Sequence, residues 1–311
     1  MSSPPYGCSK ISEVIDRRRK LAVFPMVCAD HCAYLQKKAF KDVATDGAKL
    51  AEVLNYGYQL YKYDMVLVFS DPYVEAEAMG CELEYSPYPH IKRVGIKPTN
   101  DRRQEIIRAA EILKRRVPVP VFVSIKGPFT LAGFISGIEN FLKWLIRNPQ
   151  KTYTALQKAL QFQLDYLQGL LKIPVNILIG DPLASSSIIS ADFFEKFVWA
   201  PLRVLITEIK KKGVLVGVHI CGNVRPIVNL LDQLNADILS IEYITLKTKT
   251  SKMGGVSTIT LLRGTNSAIQ KEIESAINLE RLILSTSCDV PVNTPVENIK
   301  AMIEFARSYE H

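Results

Sequence analysis

The chain has 311 residues, 48% hydrophobic and 23% charged, which are ordinary globular values. They exclude disorder or a fibrous repeat as its main character. Lys and Arg number 39 against 31 Asp and Glu, a net charge of +8, and there are only 4 His and 6 Cys. A length near 300 suggests two domains of about 150 residues each, but a barrel of roughly 250 residues also folds as one unit.

In chain order, residues 11–20 come first. They are charged and amphipathic, with Asp16, Arg17, Arg18 and Arg19, unlike the apolar core of a secretory signal. The apolar run 21–29 is too short to cross a bilayer. Six cysteines are too sparse here for a disulfide framework. A cytoplasmic protein with reduced thiols and no membrane contact is expected.

Apolar, β-branched runs of strand length follow at 21–27, 65–69, 119–125, 175–179, 214–220, 238–241, 258–262 and 282–284. They are continuous rather than alternating, as parallel strands buried on both faces should be. Helical periods lie between most of them, at 102–114, 153–171, 193–209 and 224–234. The basic residues Arg102, Arg103, Arg108, Lys114, Arg115 and Arg116 share their stretch with Glu105 and Glu111. That mixture predicts a solvated helix face rather than a nucleic-acid surface. Residues 245–255 are polar, with Lys247, Lys249 and Lys252, and read as a loop. Thr294, Pro295 and Glu297 form a capping-box arrangement that opens a last helix toward Ser308. Eight strand–helix units without an interrupting linker predict one (β/α)8 TIM barrel domain over 1–311, with residues 1–20 as an N-terminal helical extension.

A barrel's active site lies at the C-terminal ends of its strands. The polar residues ending strands are Cys28, Asp30 and His31, then Ser70 and Asp71, Asp181, His219 with Cys221, Glu242, and Ser287-Cys288-Asp289. His219 and Cys221, two apart on an extended segment, point to one face. With Glu242 and Cys288 at the ends of later strands, they make a nitrogen, sulfur and oxygen set suited to Zn²⁺. Asp71 and Asp181 could hydrogen-bond a ligand or a metal-bound histidine, or cap the turns that follow. His31 is a candidate acid or base at the rim. Gly264-Thr265-Asn266 precedes a helix where barrels commonly bind anions, which makes Asn266 a candidate contact. Cys8, Cys32 and Cys81 are expected in packing, and His90 and His311 on the surface.

Several stretches then fall into a familiar order: Phe69-Ser70-Asp71 with 75–81, Gly127-Pro128-Phe129-Thr130, Gly180-Asp181-Pro182, His219-Ile220-Cys221-Gly222, and Cys288-Asp289-Val290-Pro291 leading into 294–298. The chain resembles the uroporphyrinogen decarboxylase superfamily, and within it the zinc-dependent methylcobamide:thiol methyltransferases, such as those acting on coenzyme M. Asp71 matches the decarboxylases' aspartate. However, Val27 and His31 stand where those enzymes' substrate-binding arginines are expected. The resemblance implies that His219, Cys221 and Cys288 are zinc ligands and Glu242 a fourth, displaceable one. It implies a zinc-bound thiolate that takes a methyl group from a methylated corrinoid (methylcobamide). No corrinoid-binding D-x-H-x-x-G motif is present, so the corrinoid is expected free or on a separate protein. Coenzyme M carries a sulfonate, for which Asn266 or the lysines of 245–255 are candidate anchors. A tetrapyrrole decarboxylase, methyl transfer to homocysteine, and a non-catalytic corrinoid-binding barrel are the competing expectations.

Overall fold

The computed structural model describes residues 9–309 apart from 87 and 99, so the expectations for Cys8 and His311 fall outside the described residues. The strands in chain order are β1 Leu21–Phe24, β2 Val66–Val68, β3 Glu82–Tyr85, β4 Pro89–Arg93, β5 Val121–Lys126, β6 Asn176–Gly180, β7 Val216–Ile220, β8 Ile238–Ile241, β9 Ser251–Val256 and β10 Leu282–Thr286. β3 and β4 form a separate antiparallel pair. The other eight are parallel, ordered β1-β10-β9-β8-β7-β6-β5-β2, with helices between them. This is the expected TIM-barrel order. The strands are almost wholly buried because helices cover the outer face and side chains fill the inner one. The helix Lys10–Ile15 precedes β1, opened by a capping box between Ser9 and Ser12. Among the described residues, no helix is long and apolar enough to cross a membrane.

β1 and β2 are not laddered to each other. One residue closes the seam between them. Asp64, just before β2, donates its backbone N–H to the Val23 carbonyl at 2.8 Å and accepts the Val23 N–H on its carboxylate at 2.7 Å. The Arg307 guanidinium, from the last helix, Val296–Ser308, holds that carboxylate at 2.8 and 3.1 Å.

Four local expectations are corrected. The seventh barrel strand is β9, inside the stretch expected to be a loop, while the expected strand 258–262 is the helix Thr258–Arg263. Ser257 caps that helix by accepting the N–H groups of Ile259 and Thr260, which outweighs the β-branched character of the run. β9 reads as polar because Gly254 and Gly255 occupy it. Gly254 sits at φ +150°, and a Cβ there would lie 2.5 Å from the Ile241 carbonyl oxygen, so close strand packing requires glycine. Thr294 does not cap the last helix: Pro295 occupies the N-cap position, without a side-chain capping bond. Arg102 is not on a solvated face. It is 1% exposed, just before the helix Arg103–Arg116, and bonds Asp71 and Glu77.

Candidate metal centre

β7 ends in Val218-His219-Ile220 and runs into Cys221. Valine and isoleucine face the helical layer, which turns His219 and Cys221 to the opposite face. Cys288 follows β10 by two residues. The three side chains converge: His219 Nε2 lies 3.0 Å from Cys221 Sγ and 3.8 Å from Cys288 Sγ, and the two sulfurs are 3.6 Å apart. They are the one group of three His, Cys, Asp or Glu ligand atoms found within 4.8 Å of one another among the described residues.

The triangle fits a tetrahedral zinc site. Zn–S bonds of about 2.3 Å and Zn–N bonds near 2.0 Å place tetrahedral ligands roughly 3.6–3.8 Å apart. Two of the three edges already have that length, and the 3.0 Å edge is short of it by well under 1 Å. The histidine is oriented for the task. Its Nδ1 pairs with Ser240 Oγ at 2.8 Å, and a proton on Nδ1 leaves the Nε2 lone pair facing the sulfurs. The two thiols lie in weak hydrogen-bonding contact. The contact from Cys288 lowers the Cys221 pKa, whereas the same contact, together with burial, raises that of Cys288. Cys288 also donates to Asp289 at 2.9 Å.

Glu242 stands beside the trio rather than in it. Its carboxylate accepts the Gly222 N–H at 2.6 Å, one residue beyond Cys221, and the side chain is exposed. Asp181 is fully buried near the β6 end. Its Oδ1 accepts the Thr130 N–H and hydroxyl at 2.8 and 2.6 Å, while Oδ2 has no partner and lies against Gly127. Burial lifts its carboxyl to about 6.

The remaining expected site residues are placed away from the trio. Asp71 spends both carboxylate oxygens on Arg102, at 2.6 and 3.2 Å, and also accepts the Tyr73 N–H. It is a structural ion-pair partner rather than a free acid. His31 is fully buried, with Nδ1 on the Val292 carbonyl at 2.9 Å and Nε2 on the Tyr61 hydroxyl at 2.8 Å. Both ring nitrogens are engaged within the fold, and the ring is buried rather than at the rim. Asn266 begins the helix Asn266–Ala276, exposed, with Thr265 as its cap; the helix Thr258–Arg263 separates it from β9. Lys252 bonds the carbonyls of Ile244 and Leu246 and is no free anchor. Cys32 and Cys81 are buried, and burial raises both thiols, in keeping with packing. Sequence reasoning passed over Ser240, whose only signal is its register beside His219, and Lys126, a lone lysine closing an apolar strand.

The family model for uroporphyrinogen decarboxylase (URO-D) matches residues 17–309. The chain belongs to this family. It is 27% identical over 282 residues to the methylated-thiol–coenzyme M methyltransferase of Methanosarcina mazei, covering 83% of this chain and 76% of that one. It is 26% identical over 302 residues to a methylcobamide:CoM methyltransferase of Methanosarcina barkeri, covering 87% of each. A solved methyltransferase from Methanosarcina mazei shares the fold with a TM-score of 0.87 at 22% identity, over 97% of this chain and 98% of that one.

Proposed function

We propose that this chain is a zinc-dependent methyltransferase that moves a methyl group from a methylated corrinoid to a small thiol such as coenzyme M. The observation that carries this reading is the His219–Cys221–Cys288 triangle at the strand ends, with edges of 3.0, 3.6 and 3.8 Å. The names of relatives at 26–27% identity support coenzyme M as acceptor, and that of the 26% relative supports a methylcobamide donor. The absence of an arginine at positions 27 and 31 argues against a polycarboxylate substrate.

Bound at this trio, zinc supplies the Lewis acidity that keeps an acceptor thiol deprotonated at neutral pH. The chain's residues do the rest. Ser240 fixes the His219 ring; His219, Cys221 and Cys288 would hold the metal, the two cysteines adding negative charge, and Glu242 would be the fourth donor, at the position left for the acceptor. The acceptor sulfur then forms the S–CH₃ bond as the Co–C bond breaks. The electron pair of that bond stays on cobalt, which becomes Co(I), and the thiol proton leaves to solvent. The corrinoid arrives free or on a separate protein, and the whole chain serves the site as one barrel domain.

Metal analysis combined with methyl transfer from free methylcobalamin to a panel of thiols tests this. Zinc near one equivalent and a methylated thiol are expected, and Cys221→Ala should lose both. Full zinc content and rate in Cys221→Ala would overturn the assignment.

A further inference from the structure

Lys126 closes β5 and is 6% exposed. The register places Lys126 beside Gly180, Gly180 beside His219, and His219 beside Ser240. In parallel strands, positions in one such row face the same side of the sheet. Lys126 therefore shares the face on which His219 meets the two cysteines. Gly180 has no side chain to stand between lysine and histidine. The ammonium lies across that gap: a Cβ on Gly180 would be 3.1 Å from Nζ. The Phe69 ring flanks Nζ at 5.0 Å. No described residue gives Nζ a hydrogen bond or an ion pair, and its charge acts only at longer range on Cys221, Asp181 and Glu75.

The stem of Lys126 is buried while its unpaired ammonium opens to solvent, and a charge held in this way among strand ends is placed to be completed by a ligand from outside the chain. We propose that Lys126 is the anion anchor of the acceptor site, holding the terminal carboxylate or sulfonate of a short thiol whose sulfur sits at the His219–Cys221–Cys288 trio. This rests on the methyl-transfer reading above and narrows its acceptor to anionic thiols. Neighbouring strands lie about 4.8 Å apart. Nζ over Gly180 is thus roughly one strand spacing from the histidine, a span suited to two or three carbons between sulfur and anion. Arg102, the other buried cation at the strand ends, is already paired and cannot take this part.

The test separates binding from chemistry. Ethanesulfonate, which has the anion but no thiol, is titrated calorimetrically into the full chain. The parent should bind it, and Lys126→Met should weaken binding about tenfold or more, as loss of a charge-assisted hydrogen bond does. In parallel, kcat/KM for methyl transfer from methylcobalamin is compared between 2-mercaptoethanesulfonate or 3-mercaptopropionate and neutral 2-mercaptoethanol. The parent should prefer the anionic thiols about tenfold, chiefly through KM, and in Lys126→Met the ratio should fall toward one. Gly180→Ala guards against a folding defect: it keeps the lysine but sets a methyl group against Nζ, and should weaken ethanesulfonate binding as well. Ethanesulfonate binding that depends on Lys126, with no thiol methylated, would retain the anchor and reject the methyl-transfer reading. Methyl transfer without anionic preference, with ethanesulfonate binding equal in parent and both variants, would reject the anchor alone.

Discussion

Two clusters of polar side chains sit at strand ends of this barrel, and they are built in opposite ways. At the β2 end, Asp71, Glu77 and Arg102 are buried together. The guanidinium bonds both carboxylates and the Ala44 carbonyl, so each charge is answered inside the fold. At the β7 and β10 ends, His219, Cys221 and Cys288 are only half-buried and satisfy one another through weak sulfur contacts. The Lys126 ammonium nearby has no hydrogen-bonding partner among the described residues. The number of ionisable groups does not separate structure from function here. Closure does: a cluster whose valences are filled by its own members holds the barrel, and one with valences left over is where a ligand belongs.

The sharpest way to break this contrast is Arg102→Met. It strands the Asp71 and Glu77 carboxylates without their cation, and should cost about 3–5 kcal/mol in urea unfolding while zinc binding by the surviving fold is unaltered. Unchanged stability would mean that the closed cluster holds nothing. A smaller effect is expected at Asp181. Burial raises its carboxyl from 3.8 to about 6. Between those values the folded chain keeps a proton that the unfolded chain has released. Stability therefore falls as pH rises through that window, by roughly 3 kcal/mol at most. Asp181→Asn retains the acceptor for Thr130 and cannot ionise, so its unfolding free energy should change less between pH 4 and 6 than the parent's. Parallel curves for the two would refute the shift. The least effect on stability is expected from Glu242→Ala. This removes one exposed contact to Gly222, worth under about 1 kcal/mol by thermal unfolding, yet should weaken zinc in a chelator competition about tenfold. Zinc affinity equal to the parent's would exclude Glu242 as a donor.

The apolar runs showed seven of the eight barrel strands, because a parallel strand buried on both faces leaves an unbroken hydrophobic signature. β9 hid because its packing depends on glycines rather than side chains, while Thr258-Ile259-Thr260 imitated a strand until Ser257 capped it as helix. The convergence of His219, Cys221 and Cys288 was legible for a geometric reason: strand ends fix where side chains meet, and two of the three are two residues apart. His31, Asp71 and Arg102 misled because their partners lie far off in sequence. Nothing local to His31 announces Tyr61 or Val292, and nothing beside Arg102 announces Asp71. Lys126 was passed over for the converse reason, since what singles it out is the lack of a partner, and that becomes visible only when every neighbour has been placed.

The seam at Asp64 bears on how the barrel comes into being. The arginine that steadies this carboxylate lies 243 positions downstream, so a growing chain completes all eight strands of the sheet before it makes the residue that steadies the Asp64 latch between the first two. Until then the Asp64 carboxylate lacks its Arg307 partner, and His219, Cys221 and Cys288 come after the first four barrel strands. Steadying of the seam and convergence of the trio therefore both depend on contacts between segments far apart in the sequence.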